Sequence, residues 1–348
     1  MMMIRHAEAK DLKDIFCLAE KSGVGFTSLP VNMDILSNRV KRTRKTLTNE
    51  VPESDKGYLF VLEDLQTKRV VGLSAIEVAV GLTSPFYSYH VGTQVHASDE
   101  LDVYKTLDTL FLSNDLTGTS ELCSLILDPD YRVNYNGRFL SKVRFLFISA
   151  FQQHFKQKII AEMRGRVDVQ GQSPFWNALG QHFFKMDFAT ADYLSGIGKK
   201  AFIAELMPRF PVYVDLLPAE ARQVIGRVHE QTVPAYQMLL AEGLQCRGYI
   251  DIFDGGPTVE AEIKDLTAVK SCRVVQVKIV DRVDVTDVSY MVANDSYKNY
   301  RVILVCNRIE QDINILEITQ EQADLLNVKD DDYVRILALQ PKEISSCS

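Results

Sequence analysis

Residues 121–163 constrain this chain more than any other stretch. An apolar run from Glu121 to Leu127 ends at Asp128-Pro129-Asp130, where a proline between two aspartates marks a turn. Beyond it Leu140, Val143, Phe147 and Phe151 fall on one stripe, which predicts an amphipathic helix over about 137–156. Ile159 to Met163 then reads as another strand. A strand that feeds a loop and then a helix gathers unpaired backbone N–H groups at the positive end of the helix dipole, a place suited to pyrophosphate. Arg132, Asn136, Gly137 and Arg138 lie there, and the two arginines add charge. Every strand-loop-helix crossover contains such a turn, so spacing alone leaves its use open.

The rest of the chain alternates helix and strand signals. A strand begins at Met3, and Leu12, Ile15, Phe16 and Ala19 share one face of a helix over 8–22, with Asp11 as its N-cap and Gly23 and Gly25 at its end. A helix over 33–46 carries Arg39, Lys41, Arg42, Arg44 and Lys45, which reads as a solvated face. Residues 58–80 read as a hairpin, with further extended pieces at 87–95 and 109–112. A short helix at 174–179 stops at Gly180, residues 201–206 read as a strand, and Pro218 opens a helix that runs to about Val228, next to His229. Thr232 caps one more helix. After about Leu266 short strands follow at close spacing, interrupted by one helix whose Thr319 and Gln322 match a capping box. This predicts a small closed β-domain. The expected division is 1–265, 266–341 and a frayed tail, 342–348.

Charge excludes several functions. The 348 residues hold 39 Lys and Arg against 46 Asp and Glu, a net charge of −7, so neither nucleic acid nor an anionic membrane is an expected partner. No apolar run approaches the roughly 18 residues that a membrane span needs. The six cysteines, including Cys123 and Cys347, are scattered and lack metal-ligand spacing, which points to reduced thiols, no metal site and a cytoplasmic protein. Cys123, in an apolar strand with no adjacent base, is expected to be an inert core thiol.

The order of elements around Arg132 and Gly137 resembles the GNAT-type superfamily of CoA-dependent N-acyltransferases, with Tyr135 standing where that loop usually has glycine. A closer resemblance, to the bacterial arginine N-succinyltransferases, covers nearly the whole chain. It is carried by 25–30 (GFTSLP), 76–81 (IEVAVG), 111–115 (FLSND), 120–123 (SELC), 161–165 (AEMRG), 173–176 (SPFW), 200–208 (KAFIAELMP) and 249–258 (YIDIFDGGPT).

The resemblance implies an α+β fold: a GNAT-like acyltransferase core with a mixed central sheet flanked by helices, plus a small C-terminal β-barrel-like domain. It implies transfer of succinyl from succinyl-CoA, as a substrate and not a tightly bound cofactor, to the α-amino group of L-arginine. This is the first step of arginine breakdown. His229 is implied as the proton donor, and Leu125, in a central strand that splays, as a main-chain contact to succinyl-CoA. On residues alone, a leucine in an apolar strand is usually core and a helix-end histidine usually meets a carbonyl. Glu77, Glu121, Asp251 and Asp254 are candidates for the substrate guanidinium, and Arg164 for the succinyl carboxylate. The side chain of Tyr135 is expected to crowd the pyrophosphate or to force φ away from positive values. Preference for ornithine, or a non-catalytic CoA-ligand-binding subunit, are the alternatives, and a homo-oligomer or a hetero-oligomer of related subunits is open.

Overall fold

The computed structural model describes residues 1–23, 28–168, 170–198, 201–309 and 314–340. Gly25, Phe26, Thr27, Lys200, Ile313, Cys347 and the expected frayed tail lie outside the described residues. The α+β class holds, with a mixed sheet flanked by helices. Among the described residues, no helix is long and apolar enough to cross a membrane.

The centre of the sheet follows from strict alternation. In β1 (Met2–His6), β2 (Gly57–Asp64) and β3 (Arg69–Glu77), neighbours pair antiparallel, and all eight residues of β2 are buried. Leu59 and Val61 face one way, against Ile15 and Leu18 of α1 (Leu12–Ser22) and Leu36 and Val40 of α2 (Met33–Leu47). Tyr58, Phe60 and Leu62 face the other, against Phe139, Leu140, Val143 and Phe147 of α3 (Asn136–Ala150). A strand covered on both faces keeps apolar residues at every position, and its side chains still divide between the two faces with period two.

The hairpin of β4 (Ser88–Ser98) and β5 (Val103–Ser113) pairs through eleven residues on each side, longer than the two extended pieces that the sequence marks. Its outer half is exposed and has no core to impose alternation. β6 (Ser120–Leu127) pairs antiparallel with β3 and parallel with β7 (Lys158–Glu162). The sheet then runs through β8 (Val212–Tyr213), β9 (Gln245–Ile250) and β10 (Pro257–Glu262), with β10 beside β7 and β8 at the far edge.

Five short helices cover this end: α4 (Pro174–Ala178), α5 (Gly180–Phe184), α6 (Phe188–Gly196), α7 (Ala201–Leu206) and α8 (Ala219–Val224). Residues 201–206 are therefore a helix and not a strand. Six residues are too few to separate the two periods, and Ile203 and Met207, one turn apart, share a core with Trp176 and Tyr89. The helix after Pro218 is also shorter than expected: it ends at Val224, and Gly226 at φ 68° turns the chain away. α9 (Val233–Ala241) and α10 (Thr267–Ser271) pack on α3.

The last five strands are β11 (Arg273–Ile279), β12 (Val285–Asn294), β13 (Arg301–Asn307), β14 (Ile315–Ile318) and β15 (Tyr333–Ala338), with α11 (Gln320–Leu326) behind the Thr319/Gln322 capping box. They follow the order β14-β11-β15-β12-β13, and β13 continues into the main sheet by pairing with β1. β14 and β13 share no ladder. Asn307 links them by donating a side-chain bond to the Glu317 carbonyl at 2.7 Å.

Candidate active site

Two strands that part create the site. β6 and β7 pair only at Ser120↔Ile159 and Glu121↔Ile160, and beyond that point they diverge. Opposite the opening, β6 bulges against β3: Leu73 pairs with Ile126 and Ala75 with Cys123, so Ser124 and Leu125 together oppose Ser74. Ser124 sits at φ 54°. Its amide donates to Ser28 Oγ at 3.2 Å, and its hydroxyl donates to the Ser28 carbonyl at 3.0 Å. Arg39 donates to that carbonyl and to Ser124 Oγ.

The gap is a cavity of about 150 Å³, walled by residues 121–125 on one side and 161–164 on the other. Leu125, Glu121, Arg164, Asp251 and Asp254 all line it, so the structure brings together five of the residues singled out from sequence. Glu77 lines a second cavity of about 450 Å³ on the α2 side, which shares Ser28, Glu121, Cys123 and Glu162 with the first. Its carboxylate is held by Arg42 at 2.5 Å and Arg39 at 3.4 Å. Those two arginines, expected on a solvated face, are packed beside the site instead. Cys123 is half-buried and lines both cavities, which corrects its expected place in a closed core, and burial pushes its thiol up to about 12.

The loop after β9 is built from carboxylates. Asp251 Oδ1 accepts from the amides of Phe253 and Asp254, at 2.7 and 2.8 Å. Asp254 accepts from Gly165 N at 2.6 Å and Gly256 N at 2.8 Å, so both its oxygens are taken up by the backbone. Burial, then the charge of Asp251, raises the Asp254 carboxyl well above the usual range. Arg164 lies opposite. Burial lowers its guanidinium, and Asp254 and Asp192 oppose that shift.

His229 lines neither cavity; it is the N-cap of a short turn that leads into α9. Its amide donates to the Arg164 carbonyl at 2.8 Å, and Thr232, which lines the cavity, donates its hydroxyl to the His229 carbonyl at 2.8 Å. His229 Nδ1 accepts from the Gln231 amide at 3.2 Å, which leaves Nε2 to carry the proton of the neutral ring. Burial first, then Arg164 and Arg166, lower its pKa against an opposing pull from Glu230, so the ring is neutral near pH 7.

Arg132, Asn136, Gly137 and Arg138 do not line the cavity. They sit at the start of α3, past the end of β6, where no side chain caps the helix. Asn136 is buried, and its amide donates to the Tyr131 carbonyl at 3.1 Å, which orders the loop. Tyr135 corrects the expectation that its side chain forces φ away from positive values. It keeps the left-handed conformation at φ 61°, and the residue is 58% exposed and lines neither cavity. The strain is accepted by the backbone, and the side chain stays in solvent.

Sequence reasoning missed Arg144, Glu162 and Asp192, all of which line the first cavity. Arg144 and Lys142 are the two charged residues within the apolar stretch 139–148 of α3, and that interruption is the signal that pointed to Arg144. Among the described residues, no group of three His, Cys, Asp or Glu is placed to hold a metal ion.

The family model described as Arginine N-succinyltransferase beta subunit matches residues 2–268, and the model for the C-terminal domain of that same beta subunit matches residues 273–338. The chain is 55% identical over 345 residues to the Arginine N-succinyltransferase of Yersinia pseudotuberculosis serotype O:3 (strain YPIII), covering 97% of this chain and 98% of that one. It is 51% identical over 343 residues to that of Escherichia coli (strain 55989 / EAEC), covering 99% of each. The structure of arginine/ornithine succinyltransferase subunit AI from Pseudomonas aeruginosa superposes with a TM-score of 0.89 at 33% identity, over 98% of this chain and 99% of that one.

Proposed function

Since the chain belongs to the arginine N-succinyltransferase family, we propose that its parted strands bring succinyl-CoA and L-arginine together and that His229 handles the proton. The chain is an acyltransferase. It moves succinyl to the α-amino group of L-arginine, giving N2-succinyl-L-arginine and CoA, the first step of arginine catabolism. The observation that carries this reading is the gap between β6 and β7 beside the Ser124–Leu125 bulge. There, strand amides freed from the ladder are available to the thioester and to the oxyanion that forms on its carbonyl.

The chemistry is a balanced exchange. The uncharged α-amine attacks the thioester carbon, a C–N bond forms and the C–S bond breaks. The nitrogen loses one proton and the CoA sulfur gains one. His229, neutral at rest, takes up the proton that the nitrogen loses and, as the imidazolium so formed, gives a proton to the sulfur. Glu121, Glu162 and Asp251 make the walls acidic, which suits a guanidinium. At the start of α3 the amides of Gly137 and Arg138, with the charges of Arg132 and Arg138, suit the pyrophosphate of CoA.

Mass spectrometry of L-arginine incubated with the protein and succinyl-CoA tests this reading, and absence of the succinylated product refutes it. Ornithine is a second acceptor to examine, because the Pseudomonas aeruginosa relative is named for both amino acids. Competition between the two at limiting succinyl-CoA decides the preference.

A further inference from the structure

Three lysine or arginine side chains are buried among the described residues, and they differ in one respect. Arg5 is paired with Asp11 and Glu63, both at 2.7 Å. Lys142 is paired with Glu242 at 2.9 Å. Arg144, only 2% exposed, has no carboxylate partner. Its two hydrogen bonds stay within its own helix turn: Nε donates to the Ser141 carbonyl at 3.1 Å and Nη2 to Ser141 Oγ at 2.9 Å. Nη1 is left over. The side chain lines the cavity between the parted strands, together with Leu125.

A buried guanidinium without a counter-ion is costly, and even its proton affinity falls, to about 10, through burial. Such a group is stabilised when its anion arrives with the ligand. Arg164 also lines the cavity and its Nε is buried without a hydrogen-bond partner, but it is only partly buried, and Asp254 and Asp192 already favour its charge, so it depends less on an arriving anion.

We propose that Arg144 binds the free carboxylate of the succinyl group and thereby sets which acyl chain the enzyme accepts. The proposal rests on the succinyl-CoA reading above. It requires the four-carbon acyl chain to run from the bulge at Leu125 toward α3, where a bidentate pair with the guanidinium holds its far end. A donor of equal length without the carboxylate leaves the buried charge unpaired, so discrimination is built into the empty site.

The experiment compares succinyl-CoA with butyryl-CoA as donors at saturating arginine, for wild type, Arg144→Met, Arg144→Lys and Arg164→Met, and follows thermal unfolding of each. Arg144→Met is expected to lower kcat/KM for succinyl-CoA about 100-fold, to change that for butyryl-CoA less than about threefold, and not to lower the unfolding temperature. Arg144→Lys, which keeps the charge and protects against a misfolded methionine variant, is expected to lose about tenfold with succinyl-CoA only. Equal losses with both donors, or selectivity that survives in Arg144→Met and disappears in Arg164→Met, overturns the assignment. Wild-type protein that transfers neither acyl group refutes the succinyl-CoA reading itself, which separates the two failures.

Discussion

The amide of His229 is bonded to the carbonyl of Arg164 at 2.8 Å, so the turn that begins α9 is fastened to the end of β7 by backbone alone. The imidazole is therefore carried by a frame that does not depend on the ring.

For this reason His229→Ala is expected to lower kcat by about 100-fold or more while the circular dichroism spectrum stays unchanged. Full activity in this variant removes His229 from the reaction.

Gly256 allows the loop that braces Arg164 to close. A Cβ there would lie 2.0 Å from the Met163 carbonyl oxygen and 2.6 Å from Gly165 N, both backbone atoms. Gly256→Ala is expected to destabilise the fold by about 3 kcal/mol and to reduce activity with it. Urea unfolding measures the loss, and wild-type stability would show that the loop relaxes freely.

Tyr135 pays a backbone penalty at φ 61° with an exposed ring. Tyr135→Gly is expected to stabilise the fold by about 1 kcal/mol and to leave the KM for succinyl-CoA within about twofold. A fall in melting temperature would mean that the ring packs against something that matters.

His6 is enclosed by Phe60, Phe147, Tyr58 and Tyr300, and its Nε2 donates to the Tyr297 carbonyl at 3.1 Å. Burial lowers its pKa to about 4, below the ordinary 6.5. The unfolded chain therefore binds the proton first, and stability falls as pH drops from about 6.5 to about 4, by about 3 kcal/mol in total. His154 and His229 are lowered too and act in the same direction, but both are only partly buried. Unfolding free energies for His6→Gln across this range should show a shallower slope, and an unchanged slope rules His6 out as the cause.

The parts of the fold readable in the sequence are those where local pattern and tertiary burial agree. Leu122, Leu127 and the Asp128-Pro129-Asp130 turn announce β6 and its end, and Phe139 to Phe151 announce α3. Residues 201–206 failed because so short a segment satisfies either period, and the outer half of the β4–β5 hairpin failed because nothing covers it. Arg39 and Arg42 read as solvated because their partner, Glu77, comes from a strand distant in sequence, β3. The site divides the same way. Leu125, Glu121, Arg164, Asp251 and Asp254 were named from the sequence and share one cavity, yet only tertiary contacts reveal that Arg144 lacks a counter-ion and that His229 is tied to Arg164.

The pairing of β13 with β1 has a consequence for biosynthesis. Met2–His6 is made about 300 residues ahead of its partner, so one of its edges stays open until Arg301–Asn307 has followed, about 15 to 60 s later at roughly 5–20 residues per second. During that interval the nascent chain carries an unprotected strand, and a protein shortened after residue 268 would carry it permanently.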